Sequence, residues 1–179
     1  DDIAISTVAT IKTFEISITE GDNTTVTVTS GEGDSLVTYS DGDMIDYGTE
    51  LTITATPATG YNLTTFTVNG VSKTGSNPDT HSVSDAITVV TAATIKTYTL
   101  TLTQGANTTL TVLDGETPVT TGTSVAHGTV LTVSATADDG YELTTFTIDG
   151  VDSLDDNPTE HTMTKAITIV TAATQEQGL

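Results

Sequence analysis

No cysteine, tryptophan or arginine occurs in the 179 residues of this chain, and aromatic residues make up only 4% of it. The missing thiols exclude disulfides and thiolate metal sites. Without arginine, the positive charge rests on Lys12, Lys73, Lys96 and Lys165 alone, against 24 acids, for a formal charge of −20. That balance excludes attraction to nucleic-acid phosphates and opposes approach to an anionic membrane. With few rings available, any core must be built from Val, Ile and Leu. No apolar run is long enough to cross a bilayer as a helix, and no leader peptide is recognisable. Asp1 therefore either follows a cleavage or begins a piece of a longer chain.

What the chain does have is threonine alternating with aliphatic residues. Phe14-Glu15-Ile16-Ser17-Ile18-Thr19 and Tyr98-Thr99-Leu100-Thr101-Leu102-Thr103 both follow the period of two that marks half-buried strands. Turn signals at Gly21-Asp22-Asn23 and Gly105-Ala106-Asn107 come next, and Val26/Val28 and Leu110/Val112 then resume the alternation. Later strands centre on Leu51/Ile53/Ala55, Phe66/Val68 and Ile87/Val89, with counterparts at Leu131/Val133/Ala135, Phe146/Ile148 and Ile167/Ile169. No segment has a helical period.

These counterparts belong to one unit written twice. The stretch Gly60-Tyr61-Asn62-Leu63-Thr64-Thr65-Phe66 returns 80 residues later as Gly140-Tyr141-Glu142-Leu143-Thr144-Thr145-Phe146. Near the start the offset is 84, since Thr10-Ile11-Lys12-Thr13 matches Thr94-Ile95-Lys96-Thr97. The extra residues of the first unit lie between Thr29 and Tyr47, in loop-like sequence where repeat-specific function would concentrate. A fixed period of this kind marks a modular array. The expected fold is all-β: two tandem small sandwich or grasp-like domains, residues 10–93 and 94–174, with a tail at 175–179. Residues 1–9 read as an orphan closing strand, because Asp2 to Thr13 resembles Ala86 to Thr97. That strand belongs either to an upstream repeat or to a contact between subunits, with Ile3, Ile5 and Val8 as its contact residues.

The run Tyr47-Gly48-Thr49 through Ala55-Thr56-Pro57 to Gly60-Tyr61-Asn62-Leu63 carries a family likeness. So do Thr64 to Val71, the Asn77-Pro78 turn and the closing Asp85 to Val89. Together they resemble the divergent InlB B-repeat family of bacterial surface proteins. Departures are Phe66 and Phe146, where the family usually has tryptophan, and His127 in place of Tyr47. The resemblance implies a small β-rich module, strung in tandem on secreted or cell-surface proteins, with no catalytic residues to carry over. Similar modules in phage virion proteins make a virion decoration or fibre domain the alternative.

The candidate chemistry is sparse. His81 and His161 occupy equivalent positions one repeat apart, a poor arrangement for a shared metal, and they read as turn-proximal residues. No serine sits in a nucleophile elbow, and carboxylate pairs are too frequent to mark a glycosidase. Tyr61 and Tyr141 are expected to pack over Phe66 and Phe146. A calcium site is the one cofactor option, with Asp149, Asp152, Asp155 and Asp156 crowding oxygens into one region; no EF-hand pattern accompanies them. Otherwise no cofactor is expected. The composition and repetition point to a non-enzymatic, extracellular or cell-surface spacer or assembly module. Its partners would be copies of itself or neighbouring repeats, without nucleic acid or membrane insertion. A glycan or host protein read by loops 30–46 and 149–157 is the remaining binding option.

Overall fold

The computed structural model describes residues 7–177. They divide into two compact units between Thr94 and Ile95. In the first unit, β1 (Thr13–Thr19), β4 (Met44–Asp46), β6 (Tyr61–Val68), β7 (Val71–Ser72) and β9 (Ile87–Ile95) form one sheet in the order β4-β1-β9-β6-β7. The other sheet contains β2 (Thr24–Ser30), β3 (Val37–Tyr39), β5 (Glu50–Pro57) and β8 (Asp79–Ser82) in the order β3-β2-β5-β8. The second unit repeats both. Its sheets run β13-β10-β18-β15-β16 and β12-β11-β14-β17. These strands are β10 (Thr97–Thr103), β11 (Thr108–Asp114), β12 (Thr117–Pro118), β13 (Ser124–Ala126), β14 (Val130–Ala137), β15 (Tyr141–Ile148), β16 (Val151–Asp152), β17 (Thr159–Thr162) and β18 (Ile167–Gln175). Each unit is thus a two-sheet all-β sandwich, and the described residues hold no α-helix.

Alternation along the strands fills the space between the sheets, because successive side chains point to opposite faces. Ile16, Val28, Leu51, Ile53, Ala55, Phe66, Val68, Ile87 and Val89 are buried, while their threonine neighbours mostly face outward. The second unit buries Leu100, Val112, Leu131, Val133, Ala135, Phe146, Ile148, Ile167 and Ile169 at the matching positions. Two further core residues per unit come from outside these long strands, Ile45 and Val83 in the first and Val125 and Met163 in the second. Each fully buried large side chain contributes roughly 1.5–3 kcal/mol, so Phe66 and Phe146 are major terms in otherwise aliphatic cores.

The first and last strands of each unit lie side by side and run parallel. In the first unit Ile16 to Thr19 register with Ile87 to Val90, and in the second Leu100 to Thr103 register with Ile167 to Val170. Beyond this ladder the turn after β1 docks on β9. Thr24 Oγ1 and Thr91 Oγ1 share a buried hydrogen bond of 2.6 Å, Gly21 N–H donates to Thr91 Oγ1 at 3.3 Å, and Thr24 Oγ1 donates to the Gly21 carbonyl at 2.7 Å. A side chain on Gly21 would place Cβ 2.4 Å from the Thr91 carbonyl oxygen, so only glycine admits this approach. Gly105, Thr108 and Thr171 rebuild the arrangement in the second unit.

Candidate functional site

The two units differ most in the β2–β3 connection. Residues 31–36, including a single 3₁₀ turn at Gly33–Ser35, link the two strands in the first unit. In the second, β11 passes to β12 through Gly115 and Glu116 alone. The extra residues noted in the sequence therefore lengthen one hairpin. The expected loop at 30–46 is more structured than its composition suggests, because it contains β3 and β4 and delivers Ile45 to the core. Asp41 and Asp43 tie it down: Asp41 Oδ1 accepts from Ile18 N at 2.7 Å, and Asp43 Oδ2 from Ser40 N at 2.6 Å. Leu36, Val37, Met44 and Tyr47 remain exposed on this side. A cleft of about 440 Å³ lies beside it, lined by Ile18, Val26, Tyr39 and Asp41 among others.

In the acidic region of the second unit, Asp149 meets a cation that the chain itself supplies. Asp149 takes a left-handed backbone (φ 51°) ahead of Gly150, and its Oδ1 accepts from Thr168 N at 2.8 Å. Its Oδ2 lies 2.7 Å from Lys165 Nζ. The Lys165 hydrogen bond and then the Thr168 amide hold the Asp149 carboxyl below its ordinary value. Asp152 Oδ1 caps Leu154 N at 3.0 Å, while Asp155 and Asp156 are exposed. Among the described residues no three His, Cys, Asp or Glu side chains come together as a metal-binding group. Asp149 thus acts as a turn residue paired with lysine, and the four expected calcium ligands are not gathered around one point.

Of the expected contact strand, Ile3 and Ile5 lie outside the described residues. Val8 is 89% exposed, and Ile11 is also exposed. His81 and His161 sit within β8 and β17, short strands that directly follow the Asn77-Pro78 and Asn157-Pro158 turns, and pair there with Leu51 and Leu131. Residues directly opposite across an antiparallel ladder share a face, so His81 and Asp79 point toward the sandwich with Leu51 and Ile53. Asp79 Oδ1 accepts from Lys73 Nζ at 2.8 Å, and its Oδ2 and His81 Nε2 are buried without a partner. Among the described residues the ring contacts are Phe14 with Tyr47 (6.5 Å) and Tyr98 with His127 (5.9 Å), and neither is the expected packing of Tyr61 or Tyr141 over Phe66 or Phe146. Tyr47 and His127 are each placed by an N–H donated at 2.8 Å, to the carbonyls of Lys12 and Lys96 respectively. That shared anchor explains why a histidine can replace the tyrosine.

Sequence reasoning missed one pair of backbone-directed side chains. On the N-terminal side of the cis Asn77–Pro78 bond, the Asn77 amide both donates to the Ala55 carbonyl (2.7 Å) and accepts from Ala55 N (3.1 Å). Asn157 does the same at Ala135, at 2.6 and 3.1 Å. The Asn-Pro dipeptide at the same repeat position was the available signal, but it reads locally as a turn.

Comparison with known proteins follows the same division. No curated protein matches the chain. Among solved structures, a C-terminal fragment of the pilus adhesin SpaC from Lactobacillus rhamnosus GG aligns over 93% of this chain and 99% of that one. The identity is 14% and the TM-score 0.39, a superposition too loose to carry an argument. The family model described as the divergent InlB B-repeat domain matches residues 24–93 and again 98–176, one match within each unit. With both sandwiches covered, the chain belongs to the divergent InlB B-repeat family.

Proposed function

We propose that the chain is a non-enzymatic spacer and assembly module of a cell-surface protein or extracellular filament. The observation that carries this reading is the way one unit follows the other: β9 ends at Ile95 and β10 begins at Thr97, so Lys96 alone joins them. The Thr-Ile-Lys-Thr junction before the first unit is the same as the one before the second. A module joined to the next by one residue leaves no loose linker between the two strands. The acidic surface favours solubility at the high local concentration of a coat. Assembly would use strand pairing by residues 1–9, with Ile3, Ile5 and Val8 meeting a neighbouring repeat or a second copy.

Two measurements test this. A tag carried outward on a bacterial surface by no copy, one copy or two copies of the chain should become steadily more accessible to a bulky antibody. Equal accessibility in all three would sink the spacer reading. Light scattering of the chain beside a version lacking residues 1–9 tests the assembly part. Oligomers that vanish on truncation support strand pairing between copies, while monomers in both cases remove the inter-subunit contact.

A further inference from the structure

We infer that each unit is a mechanical clamp, built so that tension along the chain is borne by shear between its first and last strands. The inference deepens the spacer reading and rests on it. Tension reaches the first unit through the N-terminal end of β1 and leaves through the C-terminal end of β9. These strands are parallel neighbours, with Ile16, Ser17, Ile18 and Thr19 beside Ile87, Thr88, Val89 and Val90. In a parallel pair those two points of attachment lie at opposite ends of the ladder. The load therefore slides one strand along the other and strains every inter-strand bond at once. In a hairpin loaded at its open end, the same bonds would fail one after another.

Three features reinforce that axis. β9 lies inside its sheet, between β1 and β6, so it is held on both edges. Ile16, Ile87 and Val89 are each no more than 1% exposed, and sliding would drag them out of the core. The Gly21–Thr24 turn is fastened to Thr91 just past the ladder by the buried hydroxyl pair and the Gly21 amide. Sliding must break this lock together with the ladder, and Thr91 is 2% exposed, so water cannot replace the lost bonds in advance. The second unit reproduces all of this with Leu100 to Thr103 beside Ile167 to Val170, and with Gly105 and Thr108 on Thr171. A lock at the same place in both units, centred on a buried hydroxyl pair, is what an array under tension requires.

The chain has no cysteine, so thiol handles can be placed at will. Thr10, Ser84 and Thr94 are exposed. Single-molecule pulling through Thr10→Cys with Thr94→Cys loads β1 and β9 in shear. Pulling through Thr10→Cys with Ser84→Cys loads the same strands from one end, so that they peel. The shear pair should unfold at a force higher by at least about twofold at the same pulling rate, because forced unfolding reports the barrier crossed along the loaded direction. Thr91→Val, which keeps the shape and removes the hydroxyl, should lower the shear force and leave the peeling force unchanged. Equal forces in the two geometries overturn the clamp, and equal loss in both geometries on Thr91→Val overturns the lock. The geometry comparison needs no core substitution, so it stands even if that variant fails to fold. Neither result depends on the surface-display measurement, so failure of the clamp and failure of the spacer reading are separate outcomes.

Discussion

Where the first unit pairs a half-buried lysine with a buried carboxylate, the second has two hydroxyl-bearing residues. Lys73 and Asp79 meet at 2.8 Å, while the equivalent residues are Ser153 and Thr159. At the next corner the exchange runs the other way. Asp149 pairs with Lys165 in the second unit, where the first has Asn69 donating to Asp85 at 3.3 Å. The backbone contacts beneath these changes are preserved, since Asn69 Oδ1 accepts from Thr88 N just as Asp149 Oδ1 accepts from Thr168 N. At the second of these corners the contact from side chain to backbone is kept, and at both the contact between side chains differs from one copy to the other.

The comparison breaks most readily at Asp79. Lys73→Ala leaves a buried carboxylate without its cation and should destabilise the first unit by about 3 kcal/mol. Hydrogen exchange, which reports the two units separately, should show faster exchange in the first unit alone. The double change Lys73→Ser with Asp79→Thr installs the second unit's pair and should lie within about 1 kcal/mol of the parent. If the double variant is as unstable as the single one, the two cores are not interchangeable at this corner.

A smaller and equal loss is expected at the shared asparagines. Asn77→Ala and Asn157→Ala each remove two hydrogen bonds from a half-covered strand and should cost about 2 kcal/mol in their own unit. A large inequality between the two, read by the same exchange experiment, would show that only one unit relies on the contact.

The smallest effect is acid-dependent and confined to the second unit. The folded pKa of Asp149 is lowered from its ordinary 3.8, first by Lys165 and then by the Thr168 amide. Its contribution is therefore complete above that ordinary value and is lost as pH falls through the lower folded value. Asp149→Asn should cost under about 1 kcal/mol near neutrality, because the pair is partly exposed and screened. Denaturant melts of parent and variant should converge in acid; a gap that persists at low pH would mean the carboxylate charge is not the source.

Much of this fold could be read from alternation. Leu51, Ile53 and Ala55, or Phe66 and Val68, declare their buried face because threonines occupy the other one. Ile45, Val83, Val125 and Met163 were not legible, since each lies in a stretch too short for a period of two to show, and Ile45 and Val125 have an apolar neighbour that blurs the alternation further. The parallel neighbours β1 and β9 were also hidden: nothing local in Ile16 to Thr19 specifies a partner some 70 residues away. At the candidate site, composition located the acidic segment of the second unit but not its use, because Lys165 comes to Asp149 only through folding. The lengthened hairpin was legible as a shift in repeat offset, but its inner strands were not.

The Asn77 and Asn157 amides have a consequence for a chain made of near-copies. Adjacent similar domains are prone to exchange strands while they fold, because each offers the other a native-like edge. At Ala55 and Ala135 the place a stray strand would take is already filled, from within the same unit, by an amide that presents one donor and one acceptor as a backbone would. Each repeat thereby fills, from within itself, a stretch of β5 or β14 that β8 or β17 leaves uncovered, so that neither Ala55 nor Ala135 offers a vacant backbone pair to a neighbouring copy.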